Sequence, residues 1–407
     1  MNYLLQLNSF VNNQELVISG SKSETNRLLL LQKLFPDLKI ENASDADDSL
    51  VIQQCFNTDN KIKDVHHAGT ALRFLLSYYA LIEDKEVLLT GSDRMKQRPI
   101  KPLVDALQEL GASVSYLENV GFPPVKIKGV KTFKNEVEID ANTSSQYLSS
   151  LLLIAAALPN GLKLKLKGFI TSKPYVEMTL QILNTLGIHT YLKDDVIQVF
   201  PSHRLKVNYF VVESDWSSAS YYYSLIALAP VGSCVSLKNF KKNSLQADAS
   251  ITEIYKDFGV ETQFNFPFIH IKKITDKRPD FLEYNLIDSP DIAQTIAVTC
   301  LGLGVKCFLK GLHTLKIKET DRLQALKNEF EKFGALVTIS DDNFILHNRV
   351  IFSEKVIEIE TYQDHRMAMS FAPLVFKQVL LIQEAQVVSK SYPSFWEDFQ
   401  TLGVEII

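Results

Sequence analysis

Leu110-Gly111-Ala112 closes one amphipathic stretch of the chain, and the same closure returns as Leu186-Gly187-Ile188, Phe258-Gly259-Val260, Phe333-Gly334-Ala335 and Leu402-Gly403-Val404. The five glycines stand 76, 72, 75 and 69 residues apart. A glycine after a leucine or aromatic residue, ahead of a small or β-branched one, reads as the left-handed turn that ends a helix and starts a strand. Glycine follows many helices, but five occurrences at near-constant spacing make a repeat the better account.

Outward from each glycine the content repeats as well. A first helix opens polar and turns apolar, at Ser23-Glu24-Thr25-Asn26-Arg27, Gly69-Thr70-Ala71, Ser144-Ser145-Gln146, Ser217-Ser218-Ala219, Pro290-Asp291-Ile292 and Asp364-His365-Arg366. A leucine-rich or β-branched strand follows, such as 87–90 or 162–166, then a second amphipathic helix and the glycine stop. Residues 44–56 fit a sixth, degraded second helix without its glycine. Six units of strand–helix–strand–helix–strand–strand fill 407 residues, an α/β pattern. A chain of this length is expected to form two domains, three units each, with crossings near residues 20 and 244.

Net charge is −4, with 46% apolar and 22% charged residues. That composition describes a globular chain with no general attraction to nucleic acid or to anionic membranes. The cysteines Cys55, Cys234, Cys300 and Cys307 show no ligand spacing, so neither metal nor disulfide framework is expected. The start of the chain lacks the pattern of a signal peptide, and the longest apolar run, 148–158, is too short to span a bilayer. A cytoplasmic location is expected.

Cations, however, gather where a helix dipole disfavours them. Lys22 and Arg27 flank one helix start, Arg98 precedes Pro99 as a first-turn proline, and Lys173 sits between Ser172 and Pro174. Lys318 and Arg322 are expected four apart on one helix opening, Arg366 lies in a first turn, and Lys390 precedes the helix that holds Phe395. One such cation is an ordinary solvated side chain. Six helix starts so decorated imply a shared anionic ligand, since free N–H donors, hydroxyls and positive charge together bind phosphate and carboxylate. Asp291 and Glu319 stand among these cations as acid/base candidates, although a cap and a neutralising neighbour are the plainer readings of each. His66, His67 and His365 lack metal-ligand spacing, Asp45, Asp47 and Asp48 do not complete a calcium loop, and Tyr221–Tyr223 reads as core.

The segments resemble, in order, those of the 5-enolpyruvylshikimate-3-phosphate synthase family. Gly20-Ser21-Lys22-Ser23 with Arg27, Ala68-Gly69-Thr70-Ala71-Leu72-Arg73, the stretch 94–100, Ser144-Ser145-Gln146 and Ser172-Lys173-Pro174-Tyr175 are similar to its motifs. So are Lys318-Glu319-Thr320-Asp321-Arg322, the stretch 364–369 and Lys390-Ser391-Tyr392-Pro393. The resemblance implies two domains, each of three βαβαββ units, with the active site in the cleft between them. One domain would combine 1–20 with 245–407, and 21–244 would be inserted. It implies that Lys22, Ser23, Arg27, Ser144, Ser145, Gln146, Ser172, Tyr175, Asp291, Thr314 and Lys318 hold shikimate 3-phosphate. Lys22, Gly69, Arg98, Gln146, Arg322, His365, Arg366 and Lys390 would hold phosphoenolpyruvate, with Asp291, Glu319 and Lys22 catalytic. The activity implied is enolpyruvyl transfer to the 5-hydroxyl of shikimate 3-phosphate, with no cofactor and no metal, in a monomer. The chain departs from the family pattern at His67, Thr314 and Ala247, where asparagine, asparagine and glycine are usual, and Phe74 replaces a proline of some members. The related transferase acting on UDP-N-acetylglucosamine carries a loop cysteine, and 91–99 has none. A non-enzymatic clamp would need a continuous basic track, not cations confined to helix starts.

Overall fold

All five of the repeated glycines adopt positive φ, from +74° at Gly259 to +114° at Gly111. At Gly403 the requirement is also steric, because a Cβ would lie 2.0 Å from the Ser9 carbonyl oxygen. The computed structural model describes residues 1–407 apart from Thr143, Phe169 and Thr171. Around the glycines the expected order of elements appears. Strand Ile62–Asp64, helix Gly69–Leu81, strand Glu86–Thr90, helix Lys101–Leu110, and strands Ser113–Tyr116 and Val125–Lys128 form one complete unit. Its four strands make a single mixed sheet.

The chain divides into two units, Gly20–Val212, and Met1–Ser19 with Glu213–Ile407. The second crossing thus falls at 212/213, ahead of the one expected near 244. The physical reason is the helix Trp216–Leu228, whose residues are all buried except the half-buried Ser217. It packs on Ala293–Leu303 and therefore goes with the later residues.

In the unit with both chain ends, three four-stranded sheets surround three inner helices, Trp216–Leu228, Ala293–Leu303 and His365–Phe371. Every residue of the last two is buried. Helices apolar all round belong in a core and have no solvent face to show. Several of the small hydroxyl residues on the three helices face one another. Ser220 Oγ lies 3.0 Å from Thr295 Oγ1, which lies 3.3 Å from Ser370 Oγ, and each pair is 75 residues apart. A turn later Thr299 Oγ1 meets Ser224 Oγ at 2.8 Å, again 75 apart. The sequence period is therefore a spatial one: equivalent positions of successive repeats touch. Strand Tyr3–Leu7 pairs antiparallel with both Leu380–Ile382 and Val404–Ile406, and Gln14–Leu16 pairs with Cys234–Lys238.

The Gly20–Val212 unit repeats the plan around Lys22–Leu34, Gly69–Leu81 and Ser145–Ala155. Two of its sheets are four-stranded, while Lys39–Glu41 pairs only with Tyr209–Val211. This two-stranded remnant belongs to the repeat whose second helix, Asp47–Asn57, ends without a glycine. Arg27 bonds Ser149, Gln146 bonds Thr70, and Ser150 bonds Ser77. Early residues meet early ones and middle meets middle, so these helices run the same way and their N-termini share one end.

Candidate functional site

Each unit gathers its helix starts into a cluster of its own. In Gly20–Val212, Lys22 opens its helix and lies 3.5 Å from the Asp48 carboxylate. Ser21, not Ser23, caps that helix. Arg27 is buried, and four of its N–H groups bond Thr179, Ser149 and the carbonyls of Ser23 and Tyr175. Burial brings its pKa down to about 10. Most of this guanidinium is spent on tying three helices together.

Gly69 faces Arg98 directly. A Cβ at Gly69 would stand 2.4 Å from Arg98 Nη1, so the missing side chain is the space in which the guanidinium lies. Arg98 Nε is buried with no partner among the described residues. Pro99 precedes the helix Lys101–Leu110 and Pro102 occupies its first turn, which corrects the expected first-turn role of Pro99. What fixes the Pro99 backbone is Arg73, whose Nη1 donates to the Gly69 carbonyl at 2.7 Å and Nη2 to the Pro99 carbonyl at 3.2 Å. Tyr147 adds its hydroxyl to Pro99 at 2.6 Å. Arg73 thereby joins the two loops, a role that its place inside a quoted motif did not reveal. Ser144 caps the helix Ser145–Ala155 through the Gln146 N–H, and Gln146 Nε2 reaches Thr70 Oγ1 at 3.2 Å. Ser172, in the left-handed region at φ +54°, precedes the helix Lys173–Thr185. Lys173 points to solvent and pairs with Glu177 at 3.0 Å.

The cluster of the other unit centres on Arg322, which is 1% exposed. Its Nε donates to Asp364 at 2.7 Å, Nη1 to Asp291 at 3.0 Å, and Nη2 to Glu319 at 2.8 Å and Asp364 at 3.3 Å. Asp291 also meets Lys318 at 3.6 Å and Arg366 at 3.2 Å, and its backbone carbonyl accepts from Arg366 Nη1 at 3.1 Å. Burial would push the Asp291 carboxyl up, but Arg366, Lys318 and Arg322 together hold it well below the ordinary carboxylate range. Burial, with Arg322 and Arg366 beside it, lowers the Lys318 pKa against the pull of Asp291 and Glu319. Arg366, also dehydrated by burial, stays firmly charged beside Asp291.

Two expectations change here. Asp291 lies in a short 3-10 turn, Pro290–Ile292, two positions ahead of Ala293, and the cap position of the helix proper is Ile292. Lys318 ends a separate 3-10 segment in extended backbone, and Asp321 caps the helix that Arg322 begins. The two cations therefore share a carboxylate instead of one helix face. Asp364 is the member that sequence reasoning passed over: it caps the Arg366 N–H and bonds Arg322 with both oxygens. His365 stands 3.7 Å from Asp364. Lys390 donates to the Gln363 carbonyl at 2.6 Å, and the Thr314 hydroxyl is buried without a hydrogen-bond partner among the described residues. Tyr175 stacks its ring 6.0 Å from Arg27.

Chemically, this is a preset row of fixed cations with two partly exposed carboxylates, Asp291 and Glu319, held among them. It suits a small polyanion undergoing proton transfer. No group of side chains among the described residues has the makings of a metal site, and no helix there is long and apolar enough to cross a membrane.

The chain is similar to known proteins over almost its whole length. The profile of the family EPSP synthase (3-phosphoshikimate 1-carboxyvinyltransferase) matches residues 32–399. A 3-phosphoshikimate 1-carboxyvinyltransferase of Bacteroides fragilis is 40% identical over 412 residues, covering 100% of this chain and 99% of its own. One from Histophilus somni is 32% identical, covering 96% of each chain. The solved structure of EPSP synthase from Acinetobacter baumannii superposes with a TM-score of 0.78 at 20% identity, covering 100% of this chain and 99% of that one, a likeness of fold.

Proposed function

The chain belongs to the EPSP synthase family, and from that membership we propose a residue-level account of its enolpyruvyl transfer to the 5-hydroxyl of shikimate 3-phosphate. The reaction is an addition followed by an elimination. The 5-hydroxyl oxygen bonds to C2 of phosphoenolpyruvate, its hydrogen leaves, and C3 gains a proton. The tetrahedral intermediate then loses phosphate from C2 and a proton from C3, which leaves the enol ether.

Shikimate 3-phosphate is held by Lys22, Ser23, Arg27, Ser144, Ser145, Gln146, Ser172, Tyr175, Thr314 and Lys318. Phosphoenolpyruvate is held by Lys22, Arg98 over Gly69, Gln146, Arg322, His365, Arg366 and Lys390. A carboxylate as strongly ionised as Asp291 is a weak base, so its share is to accept a hydrogen bond from the 5-hydroxyl and aim the oxygen. Glu319 and Lys22 then carry the proton transfers, Glu319 at C3. The observation that carries this reading is Arg322, which bonds Asp291 and Glu319 once each and Asp364 twice and so holds the three carboxylates in fixed register. The chain acts as a monomer on these two small molecules, in the cytoplasm.

The test is release of inorganic phosphate from phosphoenolpyruvate on addition of shikimate 3-phosphate. Release that does not depend on shikimate 3-phosphate refutes the assignment. Glu319→Gln should keep substrate binding within a few-fold and lose roughly 10²–10⁴ in turnover. Near-normal turnover in that variant removes Glu319 from the chemistry.

A further inference from the structure

Behind Arg366 lies a carboxylate with no match for its charge. Asp248 is 4% exposed; one oxygen accepts from the Ser217 hydroxyl, and the other, Oδ1, is buried with no hydrogen-bond partner among the described residues. Ser217 Oγ in turn accepts from Arg366 Nη2 at 3.3 Å. The groups that face Asp248 are Asp215 and Ser217 from the start of the helix Trp216–Leu228, Asp291 from the turn before Ala293–Leu303, and Arg366 from His365–Phe371. Its own turn, Ala247–Ser250, adds no other titratable group. Two carboxylates thus face it against one cation, and that cation already bonds Asp291 through side chain and backbone. An ionised oxygen that is dehydrated and unbonded is costly, and a proton removes the cost.

We propose that Asp248 is a positioning residue that takes up a proton when an anionic ligand engages Arg366. The inference rests on the reading above, in which Arg366 holds phosphoenolpyruvate. An anion at Arg366 offsets the positive charge that partly stabilises ionised Asp248. Burial first, and Asp291 next, already raise the carboxyl of Asp248 to about 7 in the unliganded chain. A ligand at Arg366 moves it higher, so Asp248 goes from mostly ionised to mostly protonated at mildly alkaline pH. The proton comes from solvent, no covalent bond changes, and the protonated carboxyl keeps Ser217 and Arg366 in place without adding negative charge beside the ligand.

The sign follows from linkage. Because binding raises the pKa, affinity is greatest below the free value of about 7. It falls as pH rises above that, by up to about tenfold per pH unit, until the bound value is passed.

The test uses the full chain saturated with shikimate 3-phosphate and titrated with phospholactate, whose saturated C2 cannot accept the hydroxyl. Heats are compared in two buffers of different ionisation enthalpy at pH about 8, where the ligand phosphate is already fully ionised. The expected result is net proton uptake in the native chain, lost in Asp248→Asn, whose affinity also stays level above neutrality. Absence of buffer-dependent heat in the native chain overturns the proposal, as does equal uptake in a folded Asp248→Asn chain. If the asparagine variant fails to fold, Asp248→Ser supplies the same comparison. A chain that releases phosphate from the true substrate pair but takes up no proton refutes this inference and leaves the assigned reaction standing. A chain that releases none refutes the assignment, whatever the buffers show.

Discussion

Gly69 and Arg98 occupy each other's space, and that makes Gly69→Ala an informative substitution. The Cβ would meet the far end of a flexible side chain at 2.4 Å, so the guanidinium moves and the backbone does not. The expected outcome is a KM for phosphoenolpyruvate raised about tenfold, equivalent to about 1.4 kcal/mol of lost binding, with the melting temperature almost unchanged. Steady-state kinetics and a thermal melt on the same sample decide it. Arg322 is the opposite case. Removing it as Arg322→Met leaves three carboxylates without their common partner, and unfolding in denaturant should show a loss of roughly 3–5 kcal/mol near neutrality. Asp291 has a folded pKa held below its unfolded one, so its contribution is present above an unfolded value of about 4 and is lost as pH falls below it. The stability gap between native and variant chains should therefore narrow in acid. At this scale the sequence was readable where a residue has one job. Gly111 and Gly259 must adopt positive φ, and glycine says so. Asp364 and Asp48 were opaque because an aspartate at a helix opening already has an explanation as a cap. Nothing local announces that Asp364 also bonds Arg322, or that Asp48 pairs with Lys22.

Among elements, the inner helices explain why a 75-residue period survives. Ser220, Thr295 and Ser370 touch across three helices, and Ser224 and Thr299 across two of them, so each repeat supplies the partner its neighbour needs. Thr295→Val keeps the shape but takes the side-chain partner from the buried Ser370 hydroxyl and leaves Ser220 with only the Ser217 carbonyl. A loss of about 1–3 kcal/mol is expected in chemical denaturation, whereas Thr295→Ser should recover most of it. The layout of strands and helices was legible because apolar patterning and turn chemistry are local. Helix starts were less so. Lys318 and Arg322 look like one helix face four residues apart, but the Asp321 cap begins a new helix between them. The crossing at 212/213 was hidden for a related reason. Residues 213–244 carry the same buried helix and strand as any other repeat, and only packing against Ala293–Leu303 decides their allegiance.

Along the chain, one continuous unit, Gly20–Val212, interrupts another that the chain enters twice. Gly20–Val212 contains all the partners its strands require: Tyr209–Val211 at its end pairs with Lys39–Glu41 near its beginning, and Gly20 lies against Asn42 and Val212. A polypeptide of residues 20–212 should fold alone, with a single cooperative melt by circular dichroism; a broad, non-cooperative transition would count against its independence. The other unit has no such privilege. Its strand Tyr3–Leu7 lies between Leu380–Ile382 and Val404–Ile406, separated from both by most of the polypeptide. On the ribosome residues 20–212 can fold before 213–407 are made, whereas Tyr3–Leu7 must wait, edges unsatisfied, until residues 380–406 have been synthesised. Refolding from denaturant removes that delay but not the long loop closure. Residues 3–7 are thus made long before they find their place, and a holdase that shields them has something definite to protect.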